Sequence, residues 1–109
     1  MPLADVLDDL RELERMLRSA PVQDHFRSVS AEERAKFVGL RQEVSVLVGR
    51  LTNAQLAGTA EQLDALAGEF QSGMADLQAR LTRLDETLAF LHTLAAVVGV
   101  GARIALLVG

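Results

Sequence analysis

The sequence predicts an all-α protein, a helical hairpin or three-helix arrangement that ends in a long, heptad-patterned, coiled-coil-like C-terminal helix. Half of the 109 residues are apolar but only 4% are aromatic, so the apolar content is mainly Leu, Val and Ala, a composition typical of helix packing. Apolar residues recur at steps of three and four along most of the chain, and two S/T-x-x-E/Q patterns indicate helix starts.

The first predicted helix covers roughly residues 3–19. Its leucines lie three or four residues apart, which places them on one side of a helix with 3.6 residues per turn. Pro21 should end this helix, because proline lacks a backbone N–H and disfavours a helical conformation in the residue before it. A short polar connection, Val22 to Val29, is expected to follow. The leucines of the stripe are Leu3, Leu7, Leu10, Leu13 and Leu17.

The second predicted helix covers roughly residues 31–52. Ser30 and Glu33 form a capping box, in which each side chain satisfies a free backbone N–H at the helix start. The alternation of Val44, Val46 and Val48 also fits a strand, but the helix is preferred because the sequence offers no second strand for pairing. The helical apolar positions are Phe37, Leu40, Val44, Leu47 and Leu51.

A chain break is predicted near residues 53–59. Asn53 and Gly58 favour a turn, and Thr59 with Gln62 forms a second capping pattern. The alternative is one continuous helix with a skip in register. Residues 1–58 are therefore interpreted as an N-terminal helical pair, followed by an amphipathic heptad helix (59–87) and an apolar helical tail (88–109).

From Leu56 to Ala105 the apolar residues alternate steps of four and three without a polar interruption. A continuous helix over 60–107 would be about 70 Å long at about 1.5 Å per residue, which predicts a rod or a long hairpin. Heptad patterns of this kind favour association of helices. The positions expected to form an oligomerisation interface are Phe70, Met74, Leu77, Leu81, Leu84, Leu88, Leu91, Ala95 and Val98.

The tail is apolar on all sides, and only His92 and Arg103 can carry charge between Leu88 and Gly109. A helix of this kind must be surrounded by apolar material, which two other helices of one chain are not expected to supply in full. A membrane or a protein interior is therefore predicted around it, and His92 is a candidate pH-sensitive group there. The further tail residues expected to be buried are Phe90, Leu94, Val97, Val100, Ile104, Leu106 and Leu107.

Four carboxylates, those of Asp5, Asp8, Asp9 and Glu12, form a stripe on the first helix. A cation site or a contact for a basic partner is one interpretation of this stripe. A solvated outer face near a helix N-terminus is the favoured one.

Composition argues against several classes of function. Cysteine is absent, which removes disulfides and thiolate chemistry, and no catalytic or phosphate-binding motif occurs. His25 and His92 are the only histidines, so no metal site, cofactor or catalytic group is expected. The net charge of −4 argues against nucleic acid as a partner.

The start MPLADVLDDL is acidic, which argues against a secretory signal peptide. Ten Arg to one Lys beside abundant Ala, Gly and Leu is typical of a GC-rich bacterial coding sequence. The expected location is therefore the bacterial cytoplasm or the cytoplasmic face of the membrane.

These observations predict a non-enzymatic, self-associating interaction or scaffold protein whose apolar C-terminal helix docks into a membrane or an oligomer core. Its expected partners are further copies of itself and, in addition, membrane lipid or another helical protein. Two alternatives stay open. One is a soluble binding module of the immunity, antitoxin or adaptor type, and the other is a pore-forming or lytic accessory protein of membranes.

Overall fold

Helices account for most of the chain in the computed structural model, which describes residues 2–109. The all-α class predicted from the sequence is confirmed. The helices are α1 (Pro2–Leu17), α2 (Ala20–Arg27), α3 (Ala31–Leu51), α4 (Ala60–Arg80) and α5 (Thr87–Ala105), and a short 3₁₀ turn (Leu81–Arg83) follows α4.

Four of these helices form a bundle in which α1 and α5 occupy opposite corners, and each of them contacts both α3 and α4. Helices α3 and α5 run parallel, since Leu47 lies beside Gly101 and the Arg50 side chain reaches the Ala105 carbonyl near the ends of both helices. Helix α4 runs antiparallel to α5, since Gly73 lies beside Val97 and Glu69 lies 3.1 Å from Arg103. The short α2 packs against α1 and α3.

Both predicted capping boxes are present. The Ser30 hydroxyl accepts a hydrogen bond from the Glu33 backbone N–H at 3.1 Å, and the Glu33 carboxylate accepts one from the Ser30 N–H at 3.3 Å. Thr59 caps α4 in the same way with Gln62. Between them, Asn53 adopts a left-handed conformation with φ 61°, which Asn tolerates better than most residues. The predicted break between the second and third helices is therefore confirmed.

The segment predicted as a polar connection, Val22 to Val29, is instead mostly helical. Pro21 lies in the first turn of α2, where its missing N–H would have no helical partner in any case. Phe26 is buried, and the Arg34 guanidinium donates hydrogen bonds to the Phe26 and Arg27 carbonyls at 3.0 and 2.8 Å. Proline therefore starts a helix here, and an arginine satisfies the carbonyls at its end.

The continuous helix predicted over 60–107 is wrong. The chain reverses between α4 and α5, and the longest dimension of the molecule is 43 Å. The turn coincides with a polar segment in which Glu86 lies 3.7 Å from Arg80 and 3.2 Å from Arg83. Folding back buries the apolar stripes of both halves within one chain, which a straight rod cannot do. The coiled-coil character of this region is not confirmed.

The core is almost entirely aliphatic, with an aromatic cluster at one end. Phe26 stacks on Phe37 with ring centroids 4.0 Å apart and lies 5.8 Å from Phe90. Among residues 3–109 no polar or charged residue is buried. At Gly101 a methyl group would lie 3.0 Å from the Leu47 side chain, so the absent side chain permits the close approach of α3 and α5.

The last residues are held by the linker between α3 and α4. The Leu107 carbonyl accepts hydrogen bonds from the Ala57 and Gly58 N–H groups at 2.7 and 2.9 Å, and the Gly109 N–H donates to the Gln55 carbonyl at 3.0 Å. These backbone bonds extend the attachment of the tail beyond the end of α5.

Candidate interaction surface

The residues predicted to form an oligomerisation interface lie mostly inside the bundle. Leu81, Leu84 and Ala95 are half-buried, and Leu88 is 70% exposed. In this fold the heptad stripe packs mainly within one chain, so only its exposed and half-buried members can contact another molecule. The predicted interface residues that are buried are Phe70, Met74, Leu77, Leu91 and Val98.

Helix α5 contains eight buried residues, more than any other helix. Val100 and Leu107 are half-buried and Leu106 is 77% exposed. Two other helices of one chain are not expected to enclose the tail in full. In the structure α4 folds back, and its apolar stripe also packs against α5. The tail residues with no exposed surface are Phe90, Leu94, Val97 and Ile104.

Helix α5 is long and apolar enough to cross a membrane by length and composition alone. In the bundle, 44% of its most apolar window is buried. A core helix passes the same test of length and composition, so this finding is weak evidence for a membrane span.

An apolar groove of about 380 Å³ runs between the parallel helices α3 and α5. Val46, which is 58% exposed, and Leu106 both line it. Its rim carries both signs of charge, from Glu43 of α3 and from arginines of both helices. The remaining lining residues are Leu47, Arg50, Val98, Ala102, Arg103 and Ala105.

The groove continues onto the outer side of α3, which carries no charge. The exposed residues on this side follow one another at steps of four and three, and they are Ala35, Gly39, Gln42, Val46 and Gly49. Lys36, Glu43 and Arg50 are seven residues apart and follow the edge of α3 next to α5. The outer side of α3 is therefore an uncharged strip with a charged border.

The facing edge of α5 is also apolar. Leu88, Ala95 and Ala102 are seven residues apart and so share one side of the helix, and Ala102 lines the groove. Leu106 follows Ala102 by one helical turn. We name this surface the α3/α5 face. It comprises the uncharged strip of α3, its charged border and the edge of α5 from Leu88 to Leu106.

The alternating valines of α3 are the sequence signal for this face. Val44 is buried, Val48 is half-buried and Val46 is exposed. Val46 thus adds exposed apolar surface to the outer side of α3, beside the groove. The alternation of the three valines, which also fits a strand, therefore occurs here in a helix with apolar residues on two sides.

His92 lies away from this face, in a separate groove of about 500 Å³ between α4 and α5 that also contains Asp76. It is exposed there, and its pH sensitivity stays a prediction. His25 forms a 2.8 Å hydrogen bond between its Nε2 and the Thr87 hydroxyl at the start of α5.

The acidic stripe on α1 shows one electrostatic perturbation. Partial burial, and then the charges of Asp5 and Asp8, raise the pKa of Asp9 above its ordinary value of 3.8. Within residues 2–109 no group of three or more His, Cys, Asp or Glu side chains is placed to hold a metal ion.

Comparison with known proteins gives no relative: no protein-family model, curated protein or solved structure matches the chain.

Proposed function

We propose that this protein is a non-enzymatic, self-associating helical interaction protein, with the folded bundle as its unit and the α3/α5 face as its contact surface. One observation carries the proposal. Of the four exposed large apolar side chains among residues 3–109, three belong to this face: Val46, Leu88 and Leu106. Exposed apolar side chains gathered on one side of a protein are typical of sites of protein association.

The magnitude of the effect supports reversible association. Complete burial of a Val or Leu side chain contributes about 1.5–3 kcal/mol. Three side chains per copy, discounted for their partial exposure, give on the order of 6–12 kcal/mol for a symmetric pair, against an association cost of about 4–15 kcal/mol. The two are of similar size, so the fraction of associated protein should depend on concentration.

Sedimentation equilibrium over a range of concentrations tests the proposal. The wild-type chain should approach at least twice the mass of one chain as its concentration rises. Val46→Glu should remain a single chain, because association would bury an unpaired carboxylate. Ala75→Glu, at an exposed position of α4 outside the face, is the matched control and should associate like the wild type. A wild-type protein of single-chain mass at every concentration would refute self-association.

Membrane docking of α5 is a second candidate, and the length and apolar composition of that helix favour it. The test is flotation with phosphatidylglycerol and phosphatidylethanolamine vesicles. Docking predicts that the protein floats with the vesicles, and release of a trapped dye would separate a pore from an anchor. Protein that stays at the bottom of the gradient would count against both membrane alternatives.

A further inference from the structure

We infer that the α3/α5 face binds the same face of a second copy in an antiparallel, two-fold symmetric arrangement, with the first half of the partner's α3 seated in the groove. The inference rests on the proposed function, since it requires self-association. It adds the identity of the occupant, its direction and its register.

The charges along α3 carry the inference. The edge next to α5 presents Glu32, Lys36, Glu43 and Arg50, whose signs alternate. Among residues 2–109, Glu32, Lys36 and Glu43 make no intramolecular ion pair, and Arg50 bonds only to the Ala105 carbonyl, at 3.3 Å. The groove thus has a border of alternating charge that is available to a partner.

An antiparallel copy of α3 matches this border. Lys36 of one copy then stands opposite Glu43 of the other, and Glu32 stands opposite Arg50. The midpoints of both pairs fall between residues 39 and 41. One register, centred near residue 40, brings each pair to within about two residues of alignment, or about 3 Å along the helix, and two-fold symmetry repeats both pairs, as expected for an isologous contact.

The same register fits sterically. Gly39 lies at the midpoint, and the space beyond its Cα is open, since a methyl group added there would have no atom within 4 Å. Ala35 of the partner comes level with Val46, so a small side chain meets the exposed valine. Because Leu47 is level with Gly101, the exposed Leu88 of the partner comes level with Ala102 in the groove.

Other directions and partners fit less well. In a parallel two-fold pair each charged residue stands level with its own copy, so opposite charges do not align. An anionic membrane surface is attracted by a basic border, whereas this border alternates in sign. The alternating charges along this border are complementary to those of a second α3 that runs in the opposite direction.

Cysteine cross-linking tests the direction, and the chain has no cysteine of its own. Gly39→Cys should form a disulfide-linked dimer under mild oxidation, because it lies near the two-fold axis. Val46→Cys alone should not, because its two copies would lie about 18 Å apart along the helices. A mixture of Ala35→Cys and Val46→Cys chains should form the mixed dimer.

Each outcome is informative. Efficient cross-linking of Val46→Cys to itself, or no mixed dimer while the wild type still has dimer mass, would overturn the antiparallel register and leave the proposed function standing. A wild-type protein that stays a single chain would refute the proposed function itself.

Charge reversal tests the ion pairs independently. Lys36→Glu and Glu43→Lys should each raise the dimer Kd by roughly tenfold, because each places two like-charge pairs in the contact. The double variant with both changes should return the Kd to near the wild-type value. An unchanged Kd for Lys36→Glu, or a double variant no tighter than either single one, would contradict the pairing.

Discussion

Replacing Leu94 with Ala tests whether α5 is the core of one folded chain. Leu94 has no exposed surface, whereas Leu88, on the same helix, is 70% exposed. Truncation of a buried Leu costs about 2–5 kcal/mol, through lost transfer free energy and a residual cavity. Truncation of an exposed Leu away from special features changes stability by about 0.5 kcal/mol or less.

A loss of this size is a large part of the total, since domains of this length have free energies of unfolding of about 5–15 kcal/mol. Each kilocalorie should also lower the melting temperature by roughly 4–8 °C. The assay is urea denaturation followed by circular dichroism, at concentrations where the protein is a single chain. Leu88→Ala is the matched variant, because both changes replace Leu by Ala within α5.

The two variants should differ by at least about 1.5 kcal/mol in free energy of unfolding. Equal and small losses in both would refute the packing argument. They would indicate that the tail packs against something other than its own bundle.

Three further predictions concern local features. Gly73→Ala should destabilise the bundle, because the added methyl group would lie 2.9 Å from the stiff Val97 side chain. At Gly68 the methyl group meets open space, so Gly68→Ala should gain up to about 1 kcal/mol of helix propensity. Thermal melts compare the two variants. Ser30→Ala should cost about 1 kcal/mol in urea denaturation through loss of the α3 cap, and an unchanged midpoint would contradict it. Asp9→Asn should stabilise the protein at neutral pH, because the raised pKa of Asp9 means that its ionised form is disfavoured in the folded state. The gain in stability should disappear as the pH falls below 3.8. A gain that persists in acid would argue against an electrostatic cause.

Local chemistry made parts of this fold predictable. The two capping boxes and the break at Asn53 depend on residues within one turn of each other, so the sequence contains the whole cause. The all-α class follows from periodicity over much of the chain, and it too needs no knowledge of distant contacts.

The reversal after α4 could not be read in the same way. The heptad register continues through Leu81, Leu84 and Leu88 as it would in a straight helix. The reversal depends on the apolar stripes of α3 and α4, against which α5 packs within the same chain. The choice between a straight helix and a reversed chain depends on contacts between residues far apart in sequence. Periodicity alone does not predict it.

The proposed contact surface could not be predicted from the sequence for a related reason. If α5 is expected to be the exposed apolar element, Val46 has no special meaning. With α5 in the core, Val46 is an exposed apolar residue beside a groove, and its position becomes informative. The functional meaning of a residue here depends on which helix occupies the centre of the bundle.

The central position of α5 also has a consequence for biosynthesis. The ribosome makes α1 to α4 before α5, so the parts of α3 and α4 that pack against α5 stay uncovered until α5 emerges. Native packing should therefore be completed only after α5 has emerged, in one late step.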